Sequence, residues 1–353
     1  MRKSHIDVTA LEDTRKRTFA LESEAGTPMH DRHGRTIDYL RISITDRCNL
    51  RCVYCMPTKS ARPSSFKDCL NFEEISEVVR IAARLGTRRV RITGGEPLVR
   101  KDLHVLVESL SRIPGIEDIS LTTNGILLAK HARRLAASGL KRVNVSLDSL
   151  KPDRFREITR GGNIRSVFRG ISEAENAGLL PVKINMIPMR GVNDDEIEDF
   201  ATLTMFTPHH VRFIELMPVG PLLHSVDKMF VPTVETKKRV SSLAQFTPVE
   251  VNKSGPALYY RFANAPGCLG FISPVSQHFC ASCNRLRLTC DGKIKPCLFS
   301  GKEVDVRSAL RSGAPDTEIE RLLKLAVEIK PERHLMHSEA CTDRPKSMAG
   351  IGG

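Results

Sequence analysis

The chain has 353 residues, 41% of them apolar, with a formal net charge of +13 and ten cysteines. That length holds one large α/β domain and a smaller one. No apolar run approaches the ~18 residues of a membrane span, and the start lacks the apolar core of a secretory signal, so the thiols are expected to meet a reducing compartment and to bind metal rather than pair as disulfides.

The charge predicts an anionic partner, whether nucleic acid, a membrane surface or a phosphorylated small molecule. Residues 1–30 are mixed in charge and weakly periodic and read as an N-terminal extension without an assigned function. Asp7, Glu12, Asp13, Glu22 and Glu24 argue against a transit peptide there.

From Leu40 onward, short strand-like runs alternate with amphipathic helical segments, the rhythm of βα units on a parallel sheet. Strands are expected at 40–45, 90–93, 119–122, 143–148, 182–187 and 211–216. Asn71 and Glu74 form a capping pair ahead of Ile75, Val78, Val79, Ala82 and Leu85, and Gly86 ends that helix. Other helices are expected to start near Asp102, Leu127, Arg165 and Asp194.

Four of these strands alternate: Leu40, Ile42 and Ile44 with Arg41 and Ser43; Val90 and Ile92 with Arg91 and Thr93; Val143, Val145 and Leu147 with Asn144, Ser146 and Asp148; and Val182, Ile184 and Met186 with Lys183 and Asn185. Parallel sheets covered on both faces usually read as continuous apolar runs. A curved sheet whose inner face lines a wet cavity accounts for the alternation; an open sheet with a bare face is the alternative. Closed barrels of this kind have eight strands. The expected fold is therefore α/β, an incomplete six-unit βα barrel (a partial TIM barrel) over residues 31–217. Residues 218–353 then cover its open side, with Pro218, Gly220 and Pro221 marking the junction.

Cys48, Cys52 and Cys55 follow the first strand, at the carboxyl end where βα-barrel sites lie. Their spacing would arise by chance in on the order of one in a hundred chains with this cysteine content. Three thiolates can hold three irons of a cubane cluster and leave the fourth open to a ligand. A zinc site would need a fourth ligand, for which Cys69 is the nearest candidate. Gly94-Gly95-Glu96-Pro97 follows the second strand. Cys280, Cys283 and Cys297 form a later set, and with Cys290 they could equally make a four-cysteine zinc site.

CxxxCxxC followed by GGEP resembles the radical S-adenosylmethionine superfamily, and FCASCNRLRLTCDGKIKPCLF resembles the carboxyl-terminal cluster motif of the GTP 3',8-cyclase family. That resemblance covers about residues 30–353. It implies two 4Fe-4S clusters, one on Cys48, Cys52 and Cys55 and one on Cys280, Cys283 and Cys297, with Cys290 the rival for the last position. It implies S-adenosylmethionine contacts at Tyr54, Gly95, Ser146 and Met217, and GTP contacts at Arg41, Arg91, Thr122, Lys183, Arg285, Leu286 and Arg287. The implied reaction is radical cyclisation of GTP to 3',8-cyclo-7,8-dihydro-GTP in molybdenum cofactor biosynthesis. Implied partners are an electron donor such as flavodoxin or ferredoxin and a downstream cyclic pyranopterin monophosphate synthase.

The family is expected in the cytoplasm, or the mitochondrial matrix of a eukaryote, away from membranes, and it admits a homodimer. Its tail, here Ile351-Gly352-Gly353, enters the active site. Arg41, Arg91, Lys183 and Arg212 share one strand phase, as a triphosphate face requires. Asn124 in TTNG reads as a turn residue. His209, His210, His334 and His337 read as surface residues. A radical enzyme acting on a peptide shares the cysteines without needing this basic set. A zinc-containing nucleic-acid-binding protein is disfavoured by 5% aromatics, the absence of Trp and the lack of a basic recognition helix.

Overall fold

In the computed structural model, which describes residues 27–57, 68–222, 225–251, 255–334 and 336, all six expected strands form. They are β1 (Tyr39–Ser43), β2 (Arg89–Thr93), β3 (Asp118–Thr123), β4 (Arg142–Ser146), β5 (Lys183–Met186) and β6 (His210–Ile214). Each boundary falls within two residues of its expected place.

The helices between them are α1 (Phe72–Arg84), α2 (Leu103–Ser111), α3 (Leu128–Ala137), α4 (Pro152–Thr159), α5 (Ile164–Asn176) and α6 (Ile197–Phe206). The capping box on α1 is complete: the Glu74 amide donates to Asn71 Oδ1 and the Asn71 amide donates to Glu74 Oε2, each at 2.7 Å. Gly86 follows with φ +87°, a left-handed exit that also brings the chain against Pro28, where any Cβ would clash. The fourth unit holds two helices where one was expected. Asn163 caps the second by accepting from the Arg165 amide at 3.0 Å, and Pro152 opens the first.

After β6 come α7 (Thr233–Ser241), β7 (Phe246–Pro248), β8 (Leu258–Phe262), β9 (Cys268–Ile272), β10 (Arg285–Leu288), β11 (Lys293–Lys295), β12 (Val304–Asp305) and α8 (Asp316–Glu328). The sheet order is β12-β11-β10-β1-β2-β3-β4-β5-β6-β9-β8-β7. β10 runs parallel to β1 and β9 parallel to β6, so strands from the carboxyl-terminal part extend the six-unit core on both sides. The two ends, β12 and β7, do not meet, and the barrel stays incomplete.

One strand face packs on the helices. Leu40, Ile42, Val90, Ile92, Val143, Val145 and Ile184 join Val78, Val79, Leu106, Leu135 and Val167 in a single buried core. Each such side chain, fully withdrawn from water, stabilises the fold by about 1.5–3 kcal/mol. The opposite face carries the polar half of the alternation and lines a cavity, which is the physical reason for the pattern in the sequence. Residues 1–26, His337 and the terminal Gly-Gly lie outside the described residues.

Candidate active site

Strand register assembles the basic side chains. Arg287 pairs with Arg41 across β10 and β1, and Arg41 with Arg91 across β1 and β2. Lys183 pairs with Asn144, and Arg212 with Asn185. Partners in a parallel ladder share a face, and Arg41, Arg91, Thr122, Lys183, Arg212, Arg285 and Arg287 all line one cavity. Leu286, between two of them, turns the other way into the core.

Neutral groups hold several of these cations. Arg212 donates to Asn185 Oδ1 at 2.8 Å and to Asn144 Oδ1 at 2.6 Å; Arg91 donates to Ser120 Oγ at 3.3 Å. Among the described residues, no carboxylate lies within 4.0 Å of Arg91, Lys183, Arg212 or Arg285. Burial and mutual repulsion therefore outweigh the compensating charges around several of them. Burial, then Arg212, Arg142 and Arg91, push Lys183 down to about 7. Burial, then Arg285, brings Arg287 down to about 10. Arg41 is lowered by burial and then by Arg287 and Arg91. A polyanion between them would relieve this cost.

Both cysteine trios open into the same cavity. Cys48, Cys52 and Cys55 sit in the loop after β1, where Cys55 and Met56 amides donate to the Cys52 carbonyl at 3.0 and 3.1 Å. Burial, then Asp148, Cys55 and Cys48, push the Cys52 thiol well up. Three thiolates crowd there stably only against cationic metal, and all three are free cysteines. The donor set fits a cluster with one open iron.

Glu96 braces this loop from β2. Its carboxylate accepts from the Leu98 amide at 3.0 Å, Thr123 Oγ1 at 2.7 Å and the Asn124 amide at 2.7 Å, and burial raises it to about 7 against those bonds. Gly95 makes the closest approach: its amide donates to the Thr45 carbonyl at 2.6 Å, and a Cβ on it would lie 2.3 Å from the Arg47 carbonyl oxygen. Gly95→Ala is expected to lower stability by about 1–3 kcal/mol in a thermal melt by forcing that backbone apart. Activity that depends on the first trio should fall roughly tenfold or more, since the displaced loop carries it. Tyr54, Ser146 and Met217 face the cavity too, with Tyr54 donating to Asp148 Oδ2 at 2.6 Å.

The second trio, Cys280, Cys283 and Cys297, faces the first across the basic floor. Cys290 does not join it: that thiol is buried and groups with Cys69 and Asp46. The same grouping removes Cys69 as a fourth ligand for the first trio. Lys330, buried at the end of α8, donates to the Arg285 carbonyl at 2.8 Å and the Pro296 carbonyl at 2.7 Å, and lies 3.6 Å from Cys283 Sγ. Burial pushes the Cys283 thiol up, yet Arg285 and Lys330 outweigh it and bring it down to about 6.

A radical SAM superfamily sequence model matches residues 42–204, and one described as Molybdenum Cofactor Synthesis C matches residues 209–336. The GTP 3',8-cyclase of Moorella thermoacetica is 51% identical over 326 residues, covering 92% of this chain and 100% of the relative. That of Pelotomaculum thermopropionicum is 50% identical over 327 residues with the same coverage. The chain belongs to the GTP 3',8-cyclase family.

Streptococcus suis SuiB bound to S-adenosylmethionine shares the fold, with a TM-score of 0.57 at 17% identity over 97% of this chain and 84% of that one. Within the GTP 3',8-cyclase frame, several residues carry more than the sequence indicated. Asn124 is not only a turn residue: its amide binds Glu96, and its Nδ2 donates to Asn49 Oδ1 at 2.8 Å and reaches Cys48 Sγ at 3.9 Å. His209 and His210 are buried, not on the surface. Burial, then Lys183 and Arg212, push His210 down to about 4. His334 lines the cavity and sits 2.9 Å from the Pro274 carbonyl.

Asp148, Glu215 and Lys330 were missed altogether. Glu215 accepts from the Thr233, Val275 and Ser276 amides at 3.0, 3.0 and 2.9 Å and so anchors the segment leading to Cys280. Lys330→Met is expected to strip two carbonyls beside the second trio of their donor, at about 1–3 kcal/mol each. Iron analysis should then give roughly four atoms per chain in place of eight.

Proposed function

We propose that this chain is a GTP 3',8-cyclase, converting GTP to 3',8-cyclo-7,8-dihydro-GTP in molybdenum cofactor biosynthesis. The observation that carries this reading is one cavity holding two cysteine trios over a floor of six cations. Cys48, Cys52 and Cys55 would hold the first 4Fe-4S cluster, and Cys280, Cys283 and Cys297 the second. Bound on Cys48, Cys52 and Cys55, the first cluster with S-adenosylmethionine would supply the radical chemistry that joining the ribose to the guanine base requires.

The chain's own residues bind and orient. Arg41, Arg91, Lys183, Arg285 and Arg287, with Thr122 and the Leu286 backbone, hold GTP by charge-assisted hydrogen bonds to the triphosphate. Arg212, fixed by Asn144 and Asn185, adds to that field. Tyr54, Gly95, Ser146 and Met217 hold S-adenosylmethionine, with Glu96 fixing the Gly95 loop. Rigid placement matters because a carbon radical takes whichever hydrogen is nearest.

No helix among the described residues is long and apolar enough to cross a membrane. The reading places the enzyme in the cytoplasm, with flavodoxin or ferredoxin as electron donor and cyclic pyranopterin monophosphate synthase as the next enzyme. Anaerobic incubation with GTP, S-adenosylmethionine and a reductant tests it. The expected result is GTP-dependent 5'-deoxyadenosine with an isomer of GTP. Equal 5'-deoxyadenosine with and without GTP, and no isomer, would overturn it.

A further inference from the structure

Two cysteines stand outside both trios yet close to each other. Cys69, just ahead of α1, and Cys290, just after β10, are buried and free, and their sulfurs lie within 4.8 Å of each other. The backbones are already joined there, the Leu70 amide donating to the Cys290 carbonyl at 2.8 Å. Asp46 completes a group whose ligand atoms all lie within 4.8 Å. Arg100 is fixed beside them by the Ile44 carbonyl at 2.6 Å, the Leu70 carbonyl at 2.8 Å and the Phe72 ring at 4.2 Å.

We propose that Cys69 and Cys290 are a reversible disulfide site, a covalent staple between the barrel and the β10–β11 hairpin that leads into Cys297. Sulfurs within 4.8 Å on hydrogen-bonded backbones can reach bonding distance by side-chain rotation. The chemistry is asymmetric in the useful sense. Bonding from Cys290 holds the Cys69 thiol below its ordinary value and Cys290 above its own, and the Arg100 charge also favours the Cys69 thiolate. Arg100, held by the Leu70 carbonyl next to Cys69, makes Cys69 the attacking sulfur and leaves Cys290 to resolve.

The balanced step uses a low-molecular-weight disulfide as oxidant. The Cys69 thiolate attacks one of its sulfurs, forming a mixed disulfide and releasing one thiolate. Cys290 then loses its proton and attacks Cys69, closing the protein disulfide and releasing the second thiol. Two protein thiols are oxidised by two electrons, and one small disulfide is reduced to two thiols.

Bound zinc is the competing occupant of these ligands. Arg100 weighs against a divalent cation there, because its charge lies beside the sulfurs.

The test is peptide mapping of the cluster-loaded protein, treated anaerobically with oxidised glutathione and then alkylated. Trypsin isolates Cys69 in the peptide 68–80 and Cys290 in 288–293, each with a single cysteine. A cross-linked 68–80/288–293 peptide is expected, absent from Cys69→Ser and Cys290→Ser and removed by dithiothreitol. The oxidised wild type should also melt higher than its reduced form, with no such difference in either variant. Two results would overturn the proposal: both cysteines alkylated as free thiols after oxidation, or stoichiometric zinc that both variants lose.

Discussion

Binding of GTP is expected to take up a proton above pH 7 and to weaken as pH rises, because Lys183 in the ligand-free protein titrates near 7. Triphosphate oxygens beside the ammonium would return it toward its ordinary value of 10.5. Below pH 7 the lysine is already charged and affinity is at its plateau. Above it, each pH unit costs up to about tenfold in affinity until the bound-state value is reached. Phosphate groups, with a second pKa of about 6, have finished titrating by then and do not mimic the effect.

The same lysine moves the empty protein in the opposite sense. Its folded value lies below its unfolded one, so the unfolded chain holds the extra proton between pH 7 and 10.5. Ligand-free stability therefore gains a contribution from Lys183 as pH rises through that window. Calorimetry in two buffers of different ionisation enthalpy measures the proton uptake. Lys183→Arg should abolish it and flatten the affinity profile, while Lys183→Met should weaken binding by about 10- to 100-fold at pH 7. A wild-type profile indistinguishable from that of Lys183→Arg would remove Lys183 from the phosphate site.

The basic floor was legible because a parallel sheet converts sequence phase into spatial neighbourhood. Arg41, Arg91, Lys183 and Arg212 each occupy the polar beat of a strand, and register places them around one cavity. Residues whose role depends on a distant partner left no such trace. Asp148, Glu215 and Lys330 act through Tyr54, the Val275–Ser276 amides and the Arg285 and Pro296 carbonyls, none of them a neighbour in sequence. The flanking strands were hidden for another reason. β10 is a four-residue run reading Arg-Leu-Arg-Leu, too short for periodicity to identify, and it joins β1 from far along the chain. The paired histidines were misjudged because burial under β8 and β9 is a tertiary fact. His210 packs edge-on to Tyr259, with ring centroids 5.5 Å apart.

Replacing the cysteines one trio at a time should divide the iron and the chemistry along the same line. Two clusters predict about eight irons per chain, and loss of either trio about four. Cys48→Ala with Cys52→Ala and Cys55→Ala should abolish 5'-deoxyadenosine formation while leaving GTP binding largely intact, since the cations belong to other elements. Cys280→Ala with Cys283→Ala and Cys297→Ala should keep the first four irons but lose the GTP isomer. The single variants then separate Cys290 from Cys297. Cys297 faces the cavity beside Cys280 and Cys283, whereas Cys290 is turned toward Cys69. Cys297→Ala should therefore drop iron toward four and Cys290→Ala should leave it near eight. The reverse pattern would require β11 to slide along β10, breaking the Arg287–Lys295 and Leu288–Ile294 pairing that holds Lys295 against the sheet.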